Sequence, residues 1–163
     1  DEKNGETMFE PVDLGELGED VINNLQNRAA KKKIRLEYAG APAQIQGVRH
    51  VLYEMFYNLT DNAIRYTSEG GEVKVFVGKL NGKPYFRVED NGIGIPLEKI
   101  QEIEQRYSQE GEALHNDHIG LDNVLRRLHL FYGKDFRFSL RSQENHYTVI
   151  TLYIPNFPSE PSR

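Results

Sequence analysis

The sequence predicts a two-layer α/β sandwich, in which a mixed, mostly antiparallel sheet is covered on one face by about three helices. Three observations carry that expectation. Segments whose apolar residues recur at three- and four-residue spacing alternate with short segments of apolar–polar alternation. Two of the alternating segments, Val73–Val77 and Tyr85–Glu89, flank Asn81-Gly82, a dipeptide suited to the tight turn of a β-hairpin. A chain of 163 residues, 38% of them hydrophobic, is long enough to bury one sizeable core.

Taken in order, residues 1–8 are polar and read as a linker remnant, residues 9–155 as one domain, and residues 156–163 as a flexible tail. Phe9 to Val12 reads as a short edge strand. Asp13, with Glu16 three residues on, makes a capping-box pattern ahead of a helix with the stripe Leu14, Leu17, Val21, Leu25 and Ala29. Lys31, Lys32 and Lys33 suit the negative end of its dipole. Ile34 to Tyr38 alternates like a half-buried strand, with Ala43 to Gln46 as a short partner. A second helix is expected from Val48 to Thr67, on the stripe Val48, Leu52, Met55, Leu59 and Ala63, ahead of Gly70-Gly71. The hairpin follows, then a turn at residues 90–96 with Pro96 opening a helix. Residues 97–118 are polar and poorly patterned. Leu121 to Tyr132 reads as a further helix closed by Gly133, and Phe136 to Leu140 and Tyr147 to Ile154 as closing strands.

Composition removes several function classes. A net charge of -5 disfavours a general nucleic-acid binder. With no cysteine, disulfides and thiolate zinc sites are excluded. The five histidines (His50, His115, His118, His129 and His146) show no metal-ligand spacing. No apolar run approaches the ~18 residues of a membrane-spanning helix, and the chain, opening on Asp1, reads as a piece of a longer protein.

Three constellations remain. On the second expected helix, Glu54, Asn58, Asn62 and Arg65 share one face beside the buried stripe. Asparagine is a mediocre helix former, so two of them one turn apart point to a task such as holding a hard cation and phosphates. Glu54 reads as a salt-bridge partner and Thr67 as a helix-end hydroxyl. At Asp90-Asn91-Gly92-Ile93-Gly94, two glycines allow a close approach to a flat ligand, or positive φ, and an acceptor-only carboxylate suits an exocyclic amine. That pattern alone is a common tight turn. Gly120-Leu121 opens a helix, whose N-terminal amides suit an anion.

In this order the three resemble the motifs of the ATPase superfamily of gyrase, the ninety-kilodalton heat-shock protein, histidine kinases and the mismatch-repair MutL proteins. Asn58-Leu-Thr-Asp-Asn62-Ala-Ile-Arg65-Tyr66-Thr67 looks like the N box of a sensor histidine kinase, and Val88-Glu-Asp90-Asn-Gly92-Ile-Gly94-Ile95-Pro96 like its G1 box. His118-Ile-Gly120-Leu121 matches the last glycine motif less fully. The resemblance covers roughly residues 9–155 and implies the Bergerat-type ATP-binding fold, with ATP and Mg²⁺ as cofactors. It assigns Mg²⁺ to Asn62 with support from Asn58, phosphate contact and catalysis to Arg65 and Asn58, and the adenine to Tyr66, Asp90, Gly92, Gly94 and Ile95. Gly120 and Leu121 would face the phosphates.

Within the superfamily, Asn58 replaces the glutamate expected of ATP hydrolysers, and a carboxamide cannot take a proton at neutral pH. The resemblance therefore implies the catalytic domain of a two-component sensor histidine kinase, which transfers the γ-phosphoryl group of ATP to a histidine. None of the histidines here has the expected acceptor context, so that histidine belongs to a separate dimerisation domain, in cis in the parent protein, and through it the signal reaches a response regulator. The parent is expected to be a homodimeric, membrane-anchored bacterial sensor with this domain in the cytoplasm. Two departures support an alternative, a degenerate nucleotide-binding or interaction module. Ile100 to Tyr107 takes the place of the phenylalanine-rich box, and Asp117-His118-Ile119-Gly120-Leu121 shortens the last glycine motif, with Arg106 as a candidate lid arginine.

Overall fold

The computed structural model describes residues 9–108 and 119–155; the expected linker remnant, the tail and the stretch 109–118, with His115 and His118, lie outside the described residues. The element order is β1 (Glu10–Asp13), α1 (Leu14–Lys31), β2 (Arg35–Gly40), β3 (Gln44–Gly47), α2 (Arg49–Arg65), β4 (Glu72–Leu80), β5 (Lys83–Asp90), α3 (Leu97–Ser108), α4 (Ile119–Tyr132), a short 3₁₀ turn (Gly133–Asp135), β6 (Arg137–Gln143) and β7 (Tyr147–Tyr153).

The main sheet runs β2-β4-β5-β7-β6. Only β2 and β4 pair in parallel, with Leu36 opposite Val73; the other pairs are antiparallel. Strand alternation sends Leu36, Val73, Val75, Val77, Phe86, Val88, Leu140, Ile150 and Leu152 into the core under the helices. Helix α2 buries Leu52, Met55, Leu59 and Ala63 of the expected stripe, together with Phe56 and Ile64, and Val48, the first residue of that stripe, is buried as its N-cap. Phe56 stacks on Phe86 of β5 with ring centroids 4.1 Å apart, which pins the helix over the centre of the sheet.

Local chemistry explains the boundaries. Asp13 caps α1, its Oδ1 accepting from Gly15 N and also from Ala43 N, both at 3.0 Å. The helix closes without a glycine: Lys33 takes the left-handed conformation at φ 62°. Lys32 reaches across to the end of α2, donating from Nζ to the carbonyls of Ile64 at 3.0 Å and Arg65 at 2.6 Å. Its ammonium thus satisfies carbonyls that the last helical turn leaves without partners. The β4–β5 hairpin turns at Asn81 and Gly82, both at positive φ (55° and 80°), as the Asn-Gly pair predicts.

One expectation changes. The short strand after Gly40 pairs with β1, Val12 facing Ile45, in a separate two-stranded sheet rather than extending β2. Both apolar residues are buried by that pairing. The helix expected to open at Pro96 is present as α3, held to the core by Ile100 and Ile103 on one narrow edge. Among the described residues no helix is long and apolar enough to cross a membrane.

Candidate functional site

The sheet leaves a cleft where the last turns of α2 face the end of β5. Its lining is Leu59, Asn62, Ala63 and Tyr66 from α2 and its C-cap, Val88 and Asp90 from β5, Gly94 and Ile95 from the following turn, Leu121 from α4, and Thr148 and Ile150 from β7. The walls are largely apolar and the polar groups few, the composition of a site for a flat, partly polar ligand. Six of the ten residues singled out from sequence, Asn62, Tyr66, Asp90, Gly94, Ile95 and Leu121, meet here.

The remaining four are placed differently. Asn58 and Arg65 are exposed on α2 beyond the cleft lining. The Arg65 guanidinium lies 5.8 Å from the centre of the Tyr66 ring, within cation–π range. Gly120 is the second residue of α4, at the N-terminal end of the helix that brings Leu121 to the cleft. Gly92 is buried and lies outside the cleft lining. A Cβ there would meet Tyr66 O at 2.4 Å and Thr67 Oγ1 at 2.9 Å. The glycine is required because the backbone at the end of α2 presses on it.

Gly94 is constrained twice. Its φ is +76°, and a Cβ would meet Gln143 O at 2.4 Å in the turn between β6 and β7. The loop between Asp90 and Pro96 is thus held from both sides. Ile93 N donates to Tyr66 O at 3.2 Å, Ile93 O accepts from Asn145 N at 2.5 Å, and Ile95 N donates to Ser142 Oγ at 2.7 Å.

Asp90 ends β5 opposite Thr148 in β7. Its Oδ1 accepts from Gly92 N at 2.8 Å. Burial pushes the carboxyl up from 3.8 to about 6, against the smaller lowering effect of that amide. The group is still mostly ionised at neutral pH, so it presents lone pairs to the cleft.

The cation reading rests on donor chemistry. Asn62 brings a carboxamide into the cleft, and Asn58 stands one turn earlier, exposed and outside the lining. Carboxamide oxygens are hard ligands that suit Mg²⁺, and an ion sharing its ligands with phosphates and water needs few protein donors. Among the described residues no group of three His, Cys, Asp or Glu could hold a metal by itself, so such an ion would come with its phosphates. Glu54 has the structural role expected of it, an ion pair with Arg127 of α4 at 3.2 Å.

Sequence reasoning missed Thr148 and Ile150 as lining residues and Ser142 as a support. The inward side of β7 was legible from its alternation. Which inward residues border the cleft depends on pairing with β5, a contact remote in sequence.

Comparison with known proteins agrees with this geometry. Residues 47–158 match the family model described as histidine kinase-, DNA gyrase B-, and HSP90-like ATPase. The chain is 36% identical over 133 residues to the sensor protein kinase PmrB of Pseudomonas aeruginosa, covering 77% of this chain and 27% of PmrB. It is 26% identical over 161 residues to the cell-division control histidine kinase PdhS of Brucella abortus, covering 91% of this chain and 16% of PdhS. The chain thus spans about a quarter or less of these relatives. The catalytic domain of the histidine kinase ThkA shares the fold at a TM-score of 0.75 and 21% identity, over 93% of this chain and 99% of that one. ThkA solved in complex with the response regulator protein TrrA aligns at 0.69 and 22% identity, over 91% of this chain and 42% of that one. With the family model covering residues 47–158 of 163, the chain belongs to the family of histidine kinase-, DNA gyrase B- and HSP90-like ATPases.

Proposed function

We propose that this chain is the ATP-binding catalytic domain of a two-component sensor histidine kinase. The observation that carries the reading is the cleft itself, where Asn62 and Tyr66 of α2 stand across an apolar floor from Asp90 of β5. The floor of Leu59, Ala63, Val88, Ile95, Leu121 and Ile150 takes the faces of the adenine ring, and Asp90 accepts from its amino group. Tyr66 closes the side of the slot toward the sugar and phosphates. Asn62, supported by Asn58, holds Mg²⁺ carried on the phosphates, and Arg65 contacts phosphate oxygens with its fork of donors. Bound Mg²⁺ supplies charge neutralisation at the phosphates.

In the transfer, the bond between the γ-phosphorus and its bridging oxygen breaks as an imidazole nitrogen bonds to that phosphorus. ADP leaves with the electron pair. The nucleophile is a neutral imidazole, so no base is needed to create it, and the uncharged carboxamide of Asn58 suits this better than water activation. The acceptor histidine is carried on a dimerisation domain outside these residues, and the phosphoryl group passes from there to a response regulator. The complex recorded for ThkA supports that partner class. The parent acts as a homodimer with this domain in the cytoplasm.

Calorimetric titration with a non-hydrolysable ATP analogue and Mg²⁺ tests the reading, and no binding at millimolar nucleotide defeats it. A second reading, nucleotide binding without transfer, is favoured by the shortened motif at Asp117-His118-Ile119-Gly120-Leu121. Incubation with labelled ATP and a histidine-bearing dimerisation domain separates the two: phosphohistidine supports the kinase, binding alone the second reading.

A further inference from the structure

Ser142 lies on β6, outside every motif described above, yet its hydroxyl is the junction of three parts of the site. It accepts from Ile95 N at 2.7 Å, donates to Tyr147 O at 2.8 Å, and lies 2.9 Å from Thr148 Oγ1. A hydroxyl has one proton and two lone pairs. The Ile95 amide occupies one lone pair, and the Tyr147 carbonyl can take only the proton. With both of those bonds made, the Thr148 hydroxyl donates to the remaining lone pair of Ser142.

That count fixes the polarity of Thr148. Its single proton is committed to Ser142, so toward the cleft it lines it can offer lone pairs alone. Thr148 is only 6% exposed, and bulk water does little to redirect it. Directly across the strand pair stands Asp90, an ionised carboxylate with lone pairs and no proton. The two groups make the polar end of the cleft an acceptor on both sides.

We infer that Ser142 is a positioning residue for base selection: by holding the Thr148 proton out of the cleft, it makes the site accept an amino-purine and reject a keto-purine. The inference rests on the nucleotide-binding reading above and adds a residue and a rule to it. An adenine amino group brings protons to this end, whereas the keto oxygen of hypoxanthine or guanine meets lone pairs. Without the Ser142 hydroxyl, Thr148 is free to turn its proton into the cleft and donate to a keto oxygen. The amide of Ile95 also loses its acceptor, which loosens the turn under the base and weakens both kinds of nucleotide.

The test is calorimetric titration of the chain with Mg²⁺ and either a non-hydrolysable ATP analogue or the matching inosine analogue. Wild type should prefer the adenine form, and Ser142→Ala should narrow that preference by about tenfold, the size of one hydrogen bond gained by the keto oxygen. Ser142→Thr retains the hydroxyl and should retain the preference. In a Thr148→Val background, Ser142→Ala should not change the ratio further. An unchanged ratio in Ser142→Ala, or an equal loss for both nucleotides, overturns the inference while leaving nucleotide binding intact. Failure of wild type to bind either analogue overturns the underlying reading instead. Should Ser142→Ala fail to fold, Ser142→Cys, close in shape but a weak hydrogen-bonding partner, carries the same test of the ratio.

Discussion

The two ends of the cleft are built by different means. At the Asp90 end the parts are backbone and buried side chains, fixed by the contacts of Gly92 with Tyr66 O, of Gly94 with Gln143 O, and of Ile95 N with Ser142. At the other end Asn58 and Arg65 are exposed side chains on one helix, while Asn62 and Tyr66 line the cleft. One end is shaped before any ligand arrives, while the other depends on side chains that a ligand can draw in. The contrast suits a nucleotide, whose base is rigid and whose phosphates and metal ion are not. It also predicts that substitutions fail differently, with the fold lost together with binding where the packed backbone at the first end is disturbed and binding alone lost at the second.

The largest effect should come from Gly94→Ala. The new methyl meets Gln143 O and the backbone is at positive φ, so the cost should be about 2–4 kcal/mol, visible in denaturant unfolding, with nucleotide binding lost as well. A variant that keeps its stability would break the idea that this end is set by protein packing.

Asp90→Asn should separate the two properties at one residue. Nucleotide affinity should fall at least about 100-fold, as expected when a charged hydrogen bond at the base is lost. Stability should move the other way. The folded carboxyl titrates at about 6 instead of 3.8, so its contribution is full below pH 3.8 and is lost as pH rises through about 6. The neutral amide escapes that loss, and at pH 7–8 the variant should be more stable by up to about 3 kcal/mol, the gain vanishing below pH 4. For wild type, the same titration predicts that nucleotide affinity declines as pH falls through about 6. Unfolding curves at several pH values, paired with calorimetry, check both statements.

At the other end, Asn62→Ala should reduce Mg²⁺-dependent nucleotide affinity by about 10–100-fold, comparable to the loss of a metal ligand or its support, with stability changed by less than about 1 kcal/mol. A similar affinity in the presence and absence of Mg²⁺ for wild type would remove the metal assignment. The smallest effect should follow Glu54→Gln. The pair with Arg127 is largely exposed, so its removal should cost at most about 1 kcal/mol and less at high salt.

How much of this was legible in sequence follows the same division. Helix α2 and its polar face follow from periodicity, because a helix is a local structure and its stripe repeats within a few residues. The Asn81-Gly82 hairpin was legible for the same reason, since two residues dictate the turn. The pairing of β3 with β1, the parallel match of β2 to β4, and the entry of Thr148 into the cleft all join residues remote in sequence. The start of helix α3 was legible at Pro96, whereas its length was not, because its buried edge is little more than Ile100 and Ile103. Gly92 and Gly94 were visible as glycines, but their reason was not: a glycine spared for a ligand and one spared for Tyr66 O look alike until the neighbouring chain is in place.

The stacked rings of Phe56 and Phe86 bear on how such a domain can be recombined. Phe56 stands two residues before Asn58, and Phe86 four before Asp90, with both rings fully buried. The register between helix α2 and strand β5 is therefore set by a pair of side chains outside the cleft lining. A graft that moves α2 into a related domain without its matching β5 would carry the cleft-lining residues of that helix and still misalign the two halves. Helix and strand form a single heritable unit, and a chimera should be cut outside both.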